Sequence, residues 1–465
     1  MMRFGKIKHI HFVGIGGIGM SGIAELLFNL GYMVSGSDLR ETGITRRLAR
    51  LGIPVFKGHH KKNIIGADVV VYSSAVTLDN PEVSEAKALH IPVIPRGEML
   101  AELMRLKYGV AIAGMHGKTT TTSMVASILT HAHLDPTVII GGRLDMWGGS
   151  NSKLGEGDIL VAEADESDGS FLSLFSAISV VTNIDHEHME YYGSMEAVRQ
   201  AFVNFINKVP FYGTAVLCLD DEEIQGIIPR LKKRYVTYGM APQADLVAAN
   251  IKKQGASVCF DVFYRNRPMA ALTVGMPGEH NVLNALAATA VALELDVPVS
   301  AIRMGLEEMG GLERRLQVKG EVDDILVLDD YGHHPTEIVA TLKAVRECWD
   351  KRRLFVVFQP HRFTRTQALF NRFVLSFNAA DTLMVLPIYP ASEKPIPGVS
   401  SEVLVKGIKD HGHKDVLFCR DETDAVSHIL SRVKPGDMVM TLGAGSINRL
   451  GSRLIDEFEK RRVTS

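Results

Sequence analysis

Short apolar runs that end in glycine or polar residues recur along the chain, and each leads into an amphipathic segment. The first run is HIHFVGIGG, the second is YGVAIAGMHG, and two late ones are RLFVVFQPH and MVMTLGAGS. Strand-length runs that alternate with helix-length segments are typical of parallel sheets connected by crossover helices. The pattern therefore predicts an α/β protein.

The same alternation divides the chain into three predicted domains, residues 1–107, 108–316 and 317–465. A length of 465 residues fits this number at about 150 residues per domain. Inside the middle domain, residues 215–275 lose the alternation. That stretch predicts antiparallel hairpins with turns at Gln254-Gly255 and Asn266-Arg267, so we expect a mostly parallel central sheet with a hairpin extension.

Composition narrows the class of protein. Hydrophobic residues make up 46% and charged residues 22%, and the formal net charge is -2. No basic stretch favours nucleic acid, and no run reaches the roughly 18 apolar residues that a membrane span needs. The four cysteines are scattered without C-x-x-C spacing, which predicts inert thiols in a reducing compartment. We expect a cytoplasmic enzyme without membrane insertion.

The first glycine loop fits the pattern G-x-G-x-x-G at Gly14, Gly16 and Gly19, and Asp38 follows at the end of the next apolar run. Such a loop brings backbone N–H groups and a helix N-terminus close to a diphosphate. Taken alone, it leaves a nicotinamide-dependent dehydrogenase open.

The second glycine loop, GMHGKTTTT, carries more chemistry. Gly114 and Gly117 allow close backbone approach to an anion, Lys118 suits the β- and γ-phosphates, and the Thr119 hydroxyl suits Mg²⁺. Ile112 stands where the full triphosphate-loop pattern has its first glycine. A strand before the loop and a helix after it predict a nucleoside-triphosphate site.

Oxygen and nitrogen ligands follow two later strands. The run ILVAEADESDGSF delivers Glu163, Asp165, Glu166 and Asp168, and VVTNIDHEHM delivers Asn183, Asp185, His186 and His188. Ligand sites in open parallel sheets form at the carboxyl ends of strands, and Mg²⁺ prefers carboxylates and phosphate oxygens. A solvated acidic loop and a structural histidine remain the alternatives.

Three more groups are candidates. His280, Asn281 and Asn284 start a predicted helix, where Asn281 suits either an N-cap or an adenine contact. The paired arginines Arg314 and Arg315 suit phosphate oxygens or a surface ion pair. The third group comprises residues after two late strands: Asp329, Asp330, Tyr331, His333 and His334 after one, and His361, Arg362 and Arg365 after the other. One helical turn would place Arg362 and Arg365 on one face as a carboxylate clamp.

Together these motifs resemble the Mur ligases, and most of all their alanine-adding branch. The resemblance covers nearly the whole chain in order: HFVGIGGIGMSGIAE, GSD, VVYSSA, GMHGKTTTT, AEADESDGSF, VTNIDHEHM, GEHNVLNALAA, RR, DDYGHHPTE, FQPHRFTRT and GAGS. It implies an N-terminal Rossmann-like domain for a UDP-sugar, a central P-loop ATPase domain, and a C-terminal Rossmann-like domain that delivers an amino acid.

The activity implied by the resemblance is ATP-dependent amide formation in peptidoglycan precursor synthesis. The lactoyl carboxylate of UDP-N-acetylmuramate attacks the γ-phosphate of ATP, and L-alanine then attacks the acyl phosphate. The resemblance implies ATP as co-substrate and two Mg²⁺ (or Mn²⁺) ions. We expect no nucleic-acid partner and a monomer or a homodimer.

The resemblance also implies roles for individual residues. Thr119 and Glu163 hold one metal ion and His188 holds a second, while Lys118, His188, Arg314 and His333 serve the reaction. The implied ATP contacts are Gly114, Met115, His116, Gly117, Lys118, Thr119, Thr120, His280, Asn281, Asn284, Asp330 and Tyr331. The implied UDP-sugar contacts are Gly14, Gly16, Gly17, Gly19, Asp38, Ser73 and Ser74. His361, Arg362 and Arg365 bind the amino acid, the arginines taking its carboxylate.

Three alternatives stay open at this point. A dehydrogenase accounts for the first glycine loop and Asp38 but leaves the G-K-T loop and the arginine pair unexplained. A non-catalytic ATP-driven switch predicts ATP turnover that ignores alanine. A recycling ligase that adds a preformed peptide to the same sugar nucleotide differs only in its second substrate.

Overall fold

The computed structural model describes residues 4–73, 75–144, 150–309 and 311–464. Ser74, and Trp147 in the segment around the predicted sugar site, lie outside the described residues. By internal contacts the chain divides into two compact units. The first holds the chain up to Lys252, Cys259–Val274 and the stretch that begins at Asn281, and the second holds Lys253–Val258, Gly275–His280 and the chain from Gly311 onwards.

The first sheet is parallel and has the strand order β3-β2-β1-β4-β5. Its strands are β1 (His9–Val13), β2 (Met33–Asp38), β3 (Val55–Lys57), β4 (Val69–Tyr72) and β5 (Val93–Pro95). The connecting helices are α1 (Ile18–Asn29), α2 (Gly43–Arg50), a 3₁₀ turn (Lys61–Ile64), α3 (Pro81–Ala88) and α4 (Arg96–Met104). The order 3-2-1 followed by 4-5 is that of a doubly wound Rossmann-like sheet, which confirms the predicted fold of this segment.

The second sheet has ten strands in the order β15-β14-β13-β12-β11-β10-β6-β9-β7-β8. Its strands are β6 (Tyr108–Ala113), β7 (Thr137–Leu144), β8 (Ser150–Lys153), β9 (Ile159–Glu163), β10 (Ile178–Val181), β11 (Thr214–Cys218), β12 (Tyr235–Gly239), β13 (Leu246–Gln254), β14 (Ser257–Tyr264) and β15 (Arg267–Val274). Its helices are α5 (Lys118–His131), α6 (Met189–Tyr192), α7 (Met195–Ile206), α8 (Glu222–Ile227), α9 (Glu279–Glu294) and α10 (Val299–Glu307), with 3₁₀ turns at Ser170–Ser173 and Ile228–Arg230.

The centre of this sheet is parallel and its ends are not. β6 lies between β9 and β10, both parallel to it. β7 is also parallel to its neighbour β9, and β8 runs antiparallel to β7. β13, β14 and β15 are joined by connections of only two residues, which excludes a parallel crossover and confirms the predicted hairpins. Each turn lies about one residue from its predicted place, at Gly255-Ala256 and at Arg265-Asn266, and the latter two residues both have positive φ.

The third sheet, in the second unit, has the order β16-β17-β21-β18-β19-β20. Its strands are β16 (Gln317–Val322), β17 (Ile325–Asp330), β18 (Leu354–Phe358), β19 (Thr382–Val385), β20 (Val416–Phe418) and β21 (Met438–Leu442). Only β16 is antiparallel to its neighbour. The helices are α11 (Pro335–Cys348), α12 (Phe363–Ala368), α13 (Phe370–Phe373), α14 (Ser401–Asp410), α15 (Glu422–Arg432) and α16 (Asn448–Thr464).

Packing fixes the helix that starts at the second glycine loop. Along β6, Val110, Ala111, Ile112 and Ala113 are fully buried, as expected for a central parallel strand. A Cβ added at Gly305 of α10 would lie 2.5 Å from the Cα of Ile128 in α5, and the Ser127 hydroxyl donates to the Gly305 carbonyl at 2.7 Å. This close helix contact, possible only with glycine, holds α5 in place behind the loop.

Candidate active site

The loop 114–117 connects β6 to α5 with two left-handed glycines. Gly114 has φ +125° and Gly117, which precedes the first residue of α5, has φ +82°. A Cβ at Gly114 would lie 2.1 Å from the Thr182 hydroxyl, and one at Gly117 would lie 2.5 Å from Oδ1 of Asn284. Both glycines are therefore required by conformation and by space. The first N–H groups of α5 have no carbonyl partner within the helix, so they point out of its N-terminus as anion donors.

Residues after β10 hold the loop in this shape. Oδ1 of Asn183 accepts the N–H of His116 at 2.8 Å, and Nδ2 of Asn183 donates to the His116 carbonyl at 2.9 Å. The Thr182 hydroxyl donates to the same carbonyl at 2.6 Å. Nε2 of His116 lies 3.1 Å from Oδ2 of Asp185. The strand end that the sequence offered as a source of metal ligands thus also supports the phosphate loop.

The Lys118 ammonium contacts a buried carboxylate. Its Nζ donates to Oε1 of Glu166 at 2.8 Å and to the Gly114 carbonyl at 2.6 Å. The side chain of Glu166 is only 1% exposed, and within the described part of the chain its Oε2 has no hydrogen-bond partner. Burial disfavours the ammonium, but Glu166, Asp165 and Glu163 together outweigh burial and raise the pKa of Lys118. The lysine is therefore charged and aimed at the loop.

His188 also contacts the Glu166 carboxylate. Its Nε2 lies 3.5 Å from Oε1 of Glu166, and its backbone is left-handed with φ +56°. Glu166 thus lies between the Lys118 ammonium and the His188 imidazole. The sequence grouped Glu166 with three other acids but gave it no role, because only the folded chain shows which carboxylate faces Lys118.

Glu163 and Thr119, the residues expected at the first metal ion, lie on the elements that flank the loop. Glu163 ends β9 and is in register with Ile112 at the end of β6. Thr119 is the second residue of α5. The end of β9 and the start of α5, which follows the adjacent parallel strand β6, therefore bring a carboxylate and a hydroxyl to the same sheet edge, a donor set that fits Mg²⁺.

Asp165 connects this edge to the N-terminal sheet. Its Oδ2 accepts from Nη2 of Arg96 at 2.8 Å. Burial opposes ionisation, but Arg96 and Ser167 hold the pKa of Asp165 below its ordinary value. Arg96 begins α4 and also lies against Gly19, where an added Cβ would come within 3.0 Å of its Nη1. The sequence did not single out Arg96.

Residues at the end of β2 hold the first glycine loop by accepting its backbone N–H groups. The N–H groups of Gly14 and Ile15 donate to the Ser37 carbonyl at 2.9 and 3.0 Å. Oδ2 of Asp38 accepts the N–H of Gly16 at 2.9 Å. Ser73 lies against the loop, since a Cβ at Gly14, whose φ is +82°, would be 3.1 Å from its Cβ. Gly17 directly precedes α1, so the N-terminus of this helix lies at the loop.

Within the second unit, Arg314 is held by charge and by an aromatic ring. Its Nε lies 3.3 Å from Oδ2 of the buried Asp329, its Nη2 donates to the Gly443 carbonyl, and its guanidinium lies 4.9 Å from the Tyr331 ring centroid. The guanidinium of Arg315 lies 5.3 Å from the same ring. Arg314 is therefore paired inside the fold, and the surface ion-pair alternative is wrong for it.

Asp330, at the end of β17, is buried among donors. It accepts the N–H groups of Leu316 at 2.8 Å and Gly332 at 2.7 Å. Burial raises the pKa of Asp330 to about 6, although Arg315 and both amides act against that rise. Burial likewise lowers the pKa of His280 to about 4, with Arg315 adding to the effect. His280 is thus a neutral imidazole at pH 7.

His361, Arg365 and His333 come together beside Tyr389. Nη1 of Arg365 lies 3.2 Å from Nδ1 of His361, whose ring stacks on Tyr389 with centroids 5.5 Å apart. The His333 ring contacts the His361 ring edge-on at 5.9 Å. Nδ1 of His333 lies 3.3 Å from Oε2 of Glu337. The expected catalytic histidine and the expected amino-acid site thus form one cluster in this unit.

One local expectation and one of the open alternatives are wrong. Arg362 does not share a helical turn with Arg365: it precedes α12 with φ +71°, because its N–H donates to the Tyr389 carbonyl at 2.8 Å. Asn281 is not an N-cap, because α9 begins two residues earlier at Glu279. Instead, Oδ1 of Asn281 accepts from Nδ2 of Asn284, and Oδ1 of Asn284 accepts the Thr121 hydroxyl, both at 3.2 Å.

Comparison with known protein families identifies the family of this chain. Three Mur ligase domain families match in succession: the Mur ligase family catalytic domain over residues 9–108, the Mur ligase middle domain over 112–292, and the Mur ligase glutamate ligase domain over 314–445. The chain belongs to the Mur ligase family.

Individual relatives are similar over nearly the full length. The UDP-N-acetylmuramate–L-alanine ligase of Trichlorobacter lovleyi is 58% identical over 97% of this chain and 99% of its own. The enzyme of the same name from Geobacter sulfurreducens is 58% identical over 99% of both chains. The crystal structure of the UDP-N-acetylmuramate–alanine ligase MurC from Thermotoga maritima, 30% identical, superposes with a TM-score of 0.83 over 98% of this chain and all of the other.

Among the described residues, no helix is both long and apolar enough to cross a membrane.

Proposed function

We propose that this chain joins L-alanine to the lactoyl carboxylate of UDP-N-acetylmuramate, with ATP converted to ADP and phosphate. The observation that carries the proposal is the 58% identity to L-alanine ligases over 97% or more of the chain, together with a Lys118–Glu166–His188 group beside the phosphate loop. The proposed setting is peptidoglycan precursor synthesis in the cytoplasm. Residues 1–107, 108–316 and 317–465 are the proposed UDP-sugar, ATP and amino-acid domains.

In the proposed reaction, the loop 114–117, Lys118 and the N-terminus of α5 position the triphosphate of ATP. Phosphoryl transfer needs positioning and charge neutralisation more than covalent chemistry by the protein, and Lys118 supplies a fixed positive charge. The sugar carboxylate attacks the γ-phosphorus, the bond to the β-phosphate oxygen breaks, and ADP leaves. The residues proposed to contact the adenosine and phosphates are His116, Thr120, His280, Asn281, Asn284, Asp330 and Tyr331.

Thr119 and Glu163 fit one Mg²⁺ (or Mn²⁺) ion, and His188 fits a second. The buried Glu166 oxygen without a hydrogen-bond partner among the described residues supports a cationic ligand nearby. Bound there, the ions would neutralise phosphate charge during transfer.

The amine of L-alanine then attacks the acyl carbon, and phosphate leaves with the electrons of the C–O bond. We propose that Arg362 and Arg365 bind the alanine carboxylate, since two guanidiniums match a carboxylate's paired oxygens. His361 positions Arg365 through their 3.2 Å contact. His333, paired with Glu337, is proposed to accept the proton that the amine loses.

The proposed diphosphate site is the first glycine loop. Gly14, Gly16, Gly17 and Gly19 bring backbone N–H groups and the N-terminus of α1 to the UDP moiety. Ser73, beside Gly14, and Ser74 complete the proposed contacts. The Asp38 carboxylate already accepts the Gly16 amide, so we propose that it shapes the loop and faces the uridine side.

Phosphate release tests the proposal against its rivals. The full-length protein is incubated with ATP, Mg²⁺ and UDP-N-acetylmuramate, with L-alanine, L-serine, glycine or a preformed peptide as acceptor. Release that requires both the sugar nucleotide and L-alanine supports the proposal. Release only with the peptide favours the recycling ligase, and release that ignores alanine favours the switch. Nicotinamide-cofactor binding at micromolar strength without ATP hydrolysis favours the dehydrogenase.

A further inference from the structure

A second set of metal-ligating side chains lies at the far end of the third sheet. Cys419 follows β20, and Asp424 and His428 lie on α15. A sulfur, an oxygen and a nitrogen from these three residues lie within 4.8 Å of one another. From this geometry we infer a divalent-cation site for a borderline-soft ion of the Zn²⁺ class, held by Cys419, Asp424 and His428.

The spacing on the helix matches two ligands of one ion. Asp424 and His428 are four residues apart, so their side chains share a face of α15. Nε2 of His428 lies 3.8 Å from Oδ1 of Asp424. Tetrahedral coordination at Zn–N and Zn–O bond lengths places two ligand atoms about 3.3–3.5 Å apart, so these two atoms need to approach by only a few tenths of an ångström. Cys419 needs to approach by less than about 1.5 Å to complete a three-ligand set of the same geometry.

The carboxylate is oriented by its neighbours. Oδ2 of Asp424 accepts the N–H of Arg420 at 3.0 Å and lies 3.4 Å from its Nε. These contacts leave Oδ1 directed towards His428, as outer-shell partners orient ligands in metal sites. Asp421 caps α15 by accepting the N–H groups of Thr423 and Asp424, so the loop that carries Cys419 is fixed to the helix.

The ligand set decides which ion fits. A thiolate and an imidazole select Zn²⁺-class ions over Mg²⁺, which prefers oxygen. Three protein ligands leave a fourth position for water. Cys419 is fully buried, whereas the His428 side chain is 43% exposed, so an ion reaches the thiol from the His428 side.

The site also has a defined place in the sheet. β18, β19 and β20 are parallel neighbours, and the Cys419 N–H donates to the Val385 carbonyl at the end of β19 at 2.9 Å. The proposed ion therefore ties the end of edge strand β20 to α15, at the same sheet edge as His361 but two strands away. It is separate from the Mg²⁺ positions proposed above and needs none of their residues.

Metal titration of the metal-free full-length protein tests the inference. Co²⁺ serves as the probe because thiolate ligation produces a charge-transfer band that Mg²⁺-type oxygen sites do not give. We expect one thiolate–Co²⁺ band per chain, displaced by Zn²⁺, and a melting temperature that rises with Zn²⁺. Cys419→Ser removes the band, and His428→Gln, an exposed change that leaves the core intact, weakens Co²⁺ binding by at least ~10-fold.

Cys218→Ser is the matched control, because Cys218 is also buried and close to two carboxylates, Asp220 and Asp221. It is expected to keep the band. No band with Co²⁺ in large excess overturns the inference. So does a band that survives Cys419→Ser, or one whose Co²⁺ affinity is unchanged in His428→Gln.

Discussion

The Nζ atom of Lys118 lies 2.8 Å from Oε1 of Glu166, a carboxylate that is almost completely buried. This pair explains how the Lys118 ammonium at the phosphate loop stays charged in spite of burial. Burial of the Glu166 carboxylate in turn depends on Lys118, because removing one partner of a buried pair leaves the charge of the other uncompensated.

Lys118→Ala is therefore expected to have two separable effects. Turnover falls by at least ~100-fold, because the positive charge that stabilises the transferred phosphate is lost. The folded state survives but is less stable by about 1–3 kcal/mol, because the buried Glu166 carboxylate loses its ammonium partner. The double variant Lys118→Ala/Glu166→Gln should regain the stability and not the turnover. Steady-state kinetics and thermal melting measure both; unchanged melting in the single variant contradicts the role of the pair.

Gly117→Ala should weaken ATP binding. The new Cβ would lie 2.5 Å from Oδ1 of Asn284, and φ is +82°, so the loop and the start of α5 must move. We expect the KM for ATP to rise at least ~10-fold, since displacement of a positioning element is costly.

Gly255→Ala is the control for Gly117→Ala, because it introduces backbone strain without a steric clash. Gly255 has φ +61°, and no heavy atom among the described residues lies within 4 Å of the added Cβ. We expect it to cost about 1–2 kcal/mol of stability without any change in the KM for ATP. Equal effects of the two variants on ATP binding would show that the Asn284 contact is irrelevant.

Arg365→Ala should raise the KM for L-alanine far more than the KM for ATP, because the proposed role of Arg365 is to bind the alanine carboxylate. Arg372→Ala is the control: this arginine lies on the neighbouring α13 and donates to the Thr336 hydroxyl at 2.7 Å. Equal increases in both KM values for Arg365→Ala would remove the carboxylate role.

Asp330 predicts a pH dependence of local stability. Its folded pKa of about 6 lies above the unfolded value of about 3.9, so between these values the folded chain binds more protons than the unfolded chain. Stability from this site therefore falls as the pH rises from about 4 to 6 and is level above that. The measurement is the protection of the Ile325–Asp330 amides from hydrogen exchange, compared with the same amides in the Asp330→Asn variant. The difference in protection should fall between pH 5 and pH 6 and stay level from about pH 7.

Asp323→Asn, at an exposed aspartate before the same strand, is the control for that experiment. It should show no such change relative to the unaltered protein. A wild-type advantage over Asp330→Asn that grows with pH would contradict the assigned burial effect.

Much of the fold followed from the sequence, because its signals are local. Strand runs that end in glycines predicted β1 and β6 and the helices after them, and two-residue turns predicted the β13–β15 hairpins. The expected domain boundaries and ligand contacts stay predictions.

Partner choice within the site depends on packing between distant segments, which a single sequence does not encode. Local spacing does not show which acid of the run 163–168 contacts Lys118, and only the fold brings Glu166 to it. Arg96 and Asp165 are 69 positions apart. The helical-turn interpretation of Arg362 failed because a backbone hydrogen bond to Tyr389 overrides the local spacing.

The most direct test of the central claim is phosphate release from ATP by the purified full-length protein in the presence of Mg²⁺. The account predicts release only when UDP-N-acetylmuramate and L-alanine are both present, with one amide product formed for each phosphate. Phosphate release that is independent of L-alanine, or none with both substrates present, would contradict it.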